Sequence, residues 1–218
     1  MSHKLSGPMV APLSGETKQL VVLLHGYGSD GDDLISLAQY WREMLPDAMF
    51  IAPNGPSPCD INPAGYQWFP LDLDREISRL VGSEKIRPVV LEFLEDLWAE
   101  TGLGAKDTLL GGFSQGAMVA LDVGLRLPET LMGIIGFSGG VIDSAEVKNL
   151  IKSKPAVCLV HGGEDDVVPA GMSVRGSQAL KAEGVEVDLH ISPGVGHSIA
   201  PDGMEVANAF ISRVAKAS

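Results

Sequence analysis

DTLLGGFSQGAMVALDVGLRL, residues 107–127, changes its period at one residue. Residues 107–113 are a short apolar run of strand length, and residues 115–127 carry the spacing of a helix. Between them stands Ser114, with Gly112 and Gly116 at the flanks of a Gly-x-Ser-x-Gly turn. A strand that passes straight into a helix through small residues is the repeating unit of a parallel α/β sheet. Its turn delivers the serine to the carboxyl end of the strand. The same alternation runs outward in both directions. Strands are expected at 19–26, 48–54, 131–137, 155–162 and 185–191, and helices at 32–45, 85–98, 171–183 and 201–216. Pro88 is placed in the first turn of the 85–98 helix, where its missing N–H costs nothing. Continuous Val/Ile/Leu strands separated by amphipathic helices predict one α/β domain over residues 1–218. Its central sheet is mostly parallel, with helices on both faces. Residues 1–17 form an N-terminal segment, and 55–80 a long Pro/Gly loop.

Bulk properties exclude several classes. The chain has 218 residues, 45% hydrophobic and 20% charged, with a net charge of −12. Such a surface repels phosphate backbones, so nucleic acid is excluded as a partner. No apolar run approaches the roughly 18 residues of a membrane span, and MSHKLSGPMVAPLSGE has no secretory apolar core. Stable membrane insertion is not expected. Cys59 and Cys158 make no disulfide framework, and a cytoplasmic setting is expected. Oligomeric state is left open, a homodimer included.

A second Gly-x-Ser-x-Gly occurs at Gly136-Phe137-Ser138-Gly139-Gly140. Glycines and two β-branched residues follow it, with no immediate helix whose N-terminal amides would bind an oxyanion. The strand–turn–helix requirement therefore selects Ser114 as the nucleophile. A serine hydroxyl needs a base, and histidine titrates in the right range. Of the five histidines, His3 is terminal, His25 and His161 precede glycines at strand ends, and His190 lies in a strand. His197, in the Gly/Pro loop SPGVGHSIAPDG after the last strand, is the expected base. The third member should be an acid between serine and histidine in chain order. HGGEDDVVP, residues 161–169, supplies Glu164, Asp165 and Asp166, and spacing barely separates the two aspartates.

The segments LHGYG (24–28), GGFSQGA (111–117), HGGEDDVVP (161–169) and GVGHS (194–198) occur in this order. Together they resemble the phospholipase/carboxylesterase family of α/β-hydrolases, which includes acyl-protein thioesterases. The resemblance implies an α/β-hydrolase fold and a Ser114–Asp165–His197 triad. It also implies an oxyanion hole from the backbone N–H groups of Tyr27 and Gln115, where many members carry leucine at the position of Tyr27. The implied substrate is a small-molecule acyl ester or thioester, with acyl-protein thioesterase or lysophospholipase activity as the alternative on the same site; an apolar groove would favour short to medium chains, and no metal or cofactor is expected. The 55–80 loop contributes Trp68 and Leu71 as expected substrate-binding residues, although its aromatic residues are equally suited to pinning the loop to the core. Leu71-Asp72-Leu73-Asp74 also reads as a short edge strand.

Two rival readings remain. Gly26-Tyr27-Gly28-Ser29-Asp30-Gly31 fits the Gly-x-Gly-x-x-Gly fingerprint of a dinucleotide site between a strand and a helix. It lacks the acidic residue that should close the second strand, which ends Ala52-Pro53-Asn54-Gly55. The other rival is a hydrolase relative that binds and no longer catalyses.

Overall fold

The computed structural model describes residues 5–217, and of Ala217 the backbone alone. His3 lies outside the described residues. Among the described residues there are nine strands and seven α-helices. Strand β1 is Met9–Val10, β2 Gln19–Leu24, β3 Ala48–Ile51, β4 Ser57–Pro58, β5 Tyr66–Gln67, β6 Thr108–Phe113, β7 Gly133–Phe137, β8 Val157–Gly162 and β9 Val187–Ser192. The helices are α1 Gly31–Ile35, α2 Ala38–Trp41, α3 Arg75–Thr101, α4 Gln115–Arg126, α5 Val147–Leu150, α6 Gly171–Ala182 and α7 Pro201–Ala217. Seven strands form one sheet in the order β1-β3-β2-β6-β7-β8-β9, parallel throughout except for antiparallel β1 at one edge.

Alternation along the strands splits the core in two. Leu20, Val22 and Leu24 of β2 join one cluster with Val90 and Leu94 of α3 and Val119 of α4. Val21 and Leu23 of the same strand join the other, with Trp41 of α2 and Phe210 and Ile211 of α7. A side-chain period of two thus builds a sheet covered on both faces. The strand order also creates the crevice. From β2 the chain first goes outward to β3, and later enters β6 on β2's other side. Loops leaving the carboxyl ends of β2 and β6 therefore diverge, and ligands bind at such a point.

Several expected boundaries are corrected. Residues 32–45 form two short helices, α1 and α2, rather than one. The 85–98 helix starts ten residues earlier: Asp74 accepts the N–H of Ile77 and caps α3 at Arg75. Pro88 consequently lies inside the helix and not in its first turn. The carbonyl it leaves unbonded is that of Glu84, and both residues are exposed, so water can serve it. The long loop shortens to 55–74. Within it β4 pairs with β5, while residues 71–74 form no strand and Leu73 is fully exposed.

Candidate active site

Ser114 sits between β6 and α4 with φ 53° and ψ −114°, a conformation costly for a residue with a Cβ. Its N–H is held by the carbonyl of Phe137 at 2.8 Å on the neighbouring strand. The flanking glycines are required by contact. A Cβ on Gly112 would lie 2.4 Å from the Gly116 carbonyl carbon, and one on Gly116 would lie 2.0 Å from the Leu24 oxygen. Close approach of α4 to β6 and β2 is what forces the serine outward.

Ser114 Oγ stands 3.0 Å from Nε2 of His197, whose Nδ1 donates to Oδ2 of Asp165 at 2.6 Å. The other oxygen of Asp165 accepts the N–H groups of Val167 at 2.9 Å and Val168 at 2.8 Å. Burial pulls the Asp165 carboxyl upward, but the bonds from His197 and Val168 outweigh it and hold the group below the usual carboxylate value. Asp166 and Glu164 are exposed. The structure thus brings Ser114, His197 and Asp165 together from three loops at the carboxyl end of the sheet. Phe113 packs on the His197 ring at a centroid distance of 4.8 Å.

The remaining histidines have other partners. His25 is fully buried; burial lowers its basicity, and its ring bridges the Gly26 carbonyl at 2.7 Å and the Gly55 N–H at 2.9 Å. It shapes the loop that presents Tyr27. His190 pairs with Asp202. His161 is a contact that the sequence reading did not assign to the site. Its Nε2 faces the Val168 carbonyl at 2.8 Å and Asp165 Oδ2 at 3.2 Å, and Nδ1 meets Ser173 Oγ at 2.7 Å. Four-residue spacing in His-Gly-Gly-Glu-Asp was the available signal. Ser138 repeats the positive φ of Ser114, at 49°, but its buried hydroxyl has no partner among the described residues. The next helix, α5, begins only at Val147.

No described residue takes the N–H of Tyr27 or of Gln115. Gln115 is the first residue of α4, where amides lack intrahelical partners. Its side chain performs a separate task. Oε1 accepts the Trp68 N–H at 2.9 Å and Nε2 donates to the Phe69 carbonyl at 2.8 Å, tying the long loop to the turn. Trp68, expected in the substrate groove, is buried instead, and its indole donates to the His25 carbonyl at 2.8 Å. A buried indole N–H needs an acceptor, and satisfying it turns the ring inward to pin the loop. Leu71 does line the pocket, a cavity of about 260 Å³ over Ser114 and His197, together with Phe69, Met118, Val167 and Val168. Tyr27 also lines the cavity; burial pushes its phenol up, and a bond with the Cys59 thiol adds to the shift. A larger hollow of about 360 Å³ between α3 and α5 contains neither histidine nor Ser114.

The Gly26–Gly31 loop is already occupied by protein groups. Gly28 N–H bonds to Tyr66, Gly31 N–H to Asn54 Oδ1 and Asp33 N–H to Asp30. The five-residue α1 behind it leaves no free array of amides for a pyrophosphate. Among the described residues no group of three His, Cys, Asp or Glu side chains is arranged to hold a metal ion, and no helix is long and apolar enough to cross a membrane.

A model of the Phospholipase/Carboxylesterase family matches residues 5–215. The crystal structure of esterase PE8 is 56% identical, covers 97% of this chain and 99% of its own, and superposes with a TM-score of 0.94. Esterase YpfH of Escherichia coli (strain K12) is 31% identical over 87% of this chain and 80% of that protein. Acyl-protein thioesterase 1 of Gibberella zeae is 28% identical over 98% of this chain and 97% of that protein.

Proposed function

The chain belongs to the phospholipase/carboxylesterase family and is a hydrolase of ester bonds, and on that premise we propose that Ser114, His197 and Asp165 cleave short to medium acyl esters or thioesters through an acyl-enzyme. The observation that carries this reading is the continuous Ser114–His197–Asp165 hydrogen-bond chain at the floor of an apolar pocket. Ser114 Oγ attacks the carbonyl carbon while His197 Nε2 takes its proton. The carbonyl oxygen becomes an oxyanion facing the N–H groups of Tyr27 and Gln115, each such donor being worth about 10²–10³ in rate. Collapse expels the alcohol or thiol, protonated by His197. Water, deprotonated by the same nitrogen, then attacks the acyl-enzyme and releases the acid and Ser114. Asp165 holds the imidazole tautomer and stabilises the imidazolium in both halves.

Phe69, Leu71, Met118, Val167 and Val168 receive the acyl chain. A cavity of about 260 Å³ suits short to medium chains. The full-length match to an acyl-protein thioesterase supports a thioester as the second reading, with the same groups in the same roles. Two free, buried cysteines suit a reducing compartment, and we place the reaction in the cytoplasm.

Hydrolysis of p-nitrophenyl butyrate tests the assignment. Ser114→Ala is expected to lower kcat by about 10⁴-fold or more while the circular dichroism spectrum is unchanged. Activity retained in Ser114→Ala and lost in Ser138→Ala would transfer the role to the second serine.

A further inference from the structure

The pocket over Ser114 is lined mostly by apolar residues, but Arg75 and Arg79 line it too. They stand four residues apart at the start of α3, on one face of the helix. Neither guanidinium makes an ion pair or hydrogen bond with any described residue. The contrast within the chain is direct: Arg87 and Arg126 share Asp122, and Arg213 holds Glu186 and Asp188. With 28 acidic against 16 basic residues, carboxylates are abundant, yet none lines this pocket. Glu76, on the same turn, and Asp143, across an adjoining hollow that Arg175 also lines, close no ion pair with Arg79.

Three unfavourable effects meet at this pair. Like charges at i and i+4 repel, and the amino end of a helix disfavours cations. Arg79 is also half-buried; burial, then the charge of Arg75, depress its basicity, with Glu76 opposing. An arriving anion would offset all three. We propose that the natural substrate is an ester or thioester bearing an oxyanion, a carboxylate or a phosphate, which Arg75 and Arg79 hold while the scissile carbonyl rests on Ser114. The inference rests on the hydrolase reading above and narrows its substrate class. The guanidinium fork matches either anion bidentately. The carboxylate would lie at the far end of the acyl chain, as in a half-ester of a dicarboxylic acid, and the phosphate on the leaving alcohol.

Paired substrates test it. Mono-p-nitrophenyl adipate and p-nitrophenyl hexanoate differ by a terminal carboxylate; 1-hexanoylglycerol 3-phosphate and 1-hexanoylglycerol differ by a phosphate. The readout is the charged-to-neutral ratio of kcat/KM in wild type, Arg75→Gln, Arg79→Gln and the double variant. One ratio is expected to fall about tenfold in the double variant, the loss of one charge-assisted bond. It is also expected to fall in wild type as NaCl rises from about 0.05 to about 0.5 M. The pair whose ratio falls names the anion, and two unmoved ratios overturn the proposal. Calorimetric titration of adipate and glycerol 3-phosphate into Ser114→Ala reads the anion site without turnover. Binding lost on adding Arg75→Gln and Arg79→Gln supports the arginine site even if no ester is cleaved, in which case the hydrolase reading alone fails. Absence of binding, or binding equal with and without the arginines, overturns the arginine site while leaving the hydrolase reading intact.

Discussion

Asp165 and Asp166 are adjacent, identical in chemistry and equivalent by spacing, yet their surroundings differ completely. Asp165 is buried and its oxygens receive His197, Val167 and Val168, whereas Asp166 is exposed. Asp165→Asn is expected to lower kcat by about 10³–10⁴-fold, because an amide supports the wrong imidazole tautomer. Asp166→Asn should stay within about twofold, as for a surface change; the reverse ranking would move the acid one residue along. Stability carries the same signature. The folded carboxyl of Asp165 lies below its unfolded value, so its contribution is present above that unfolded value, near 4, and is lost as pH falls through the folded value. Thermal unfolding followed from pH 7 down to about pH 3 should therefore show a shallower acid decline in Asp165→Asn than in wild type. His161 shows what spacing left unread: a strand-end histidine resembled a loop-shaping residue, but its Nε2 also faces Asp165.

Strands, helices and turns were legible where each segment follows one period. β6 and α4 appear within a residue of their expected limits because apolar residues bury both and Gly112 and Gly116 are forced by contact. α3 was misread for the opposite reason. Its first turns carry Arg75, Arg79 and the exposed Ile77, Leu80 and Val81, which show no single buried face. Pro88 then supplied a false start signal. The loop before α3 is held by Gln115, whose amide satisfies both Trp68 N–H and Phe69 C=O. Gln115→Leu strands those two buried backbone groups and should cost about 2–6 kcal/mol by urea denaturation, at about 1–3 kcal/mol for each unsatisfied group. The Gln115 backbone N–H survives that change. Residual activity at low denaturant, accompanied by the stability loss, is expected; unchanged stability would show that the loop is held by other contacts.

At the scale of the whole molecule, the two-faced sheet also sets the chemistry of its core. Cys158 of β8 is fully buried, and burial, then the charge of Asp188, push its thiol from 9.0 up to about 12, with Arg213 opposing. A raised folded value stabilises the protein below the unfolded value and loses that contribution as pH climbs toward the folded one. Between pH 9.0 and about 12, wild type should therefore lose more unfolding free energy than Cys158→Ala. Equal losses would assign the alkaline decline to other groups. The amino-acid sequence alone determined the alternation of strands and helices, the turn at Ser114 and the segments carrying the acid and the histidine. These are properties of near neighbours: period, glycine placement and apolar run length. Tertiary structure alone set Asp165, and not Asp166, against His197, turned Trp68 inward, started α3 at Arg75 and set His161 on the carboxylate. The bond from His197 to Asp165 and the inward turn of Trp68 each depend on a proton meeting a lone pair on a distant segment; Ser114 and His197 are 83 residues apart. The register of β6, β7 and β8 fixes which loop atoms come within hydrogen-bond reach, and no local pattern encodes that register.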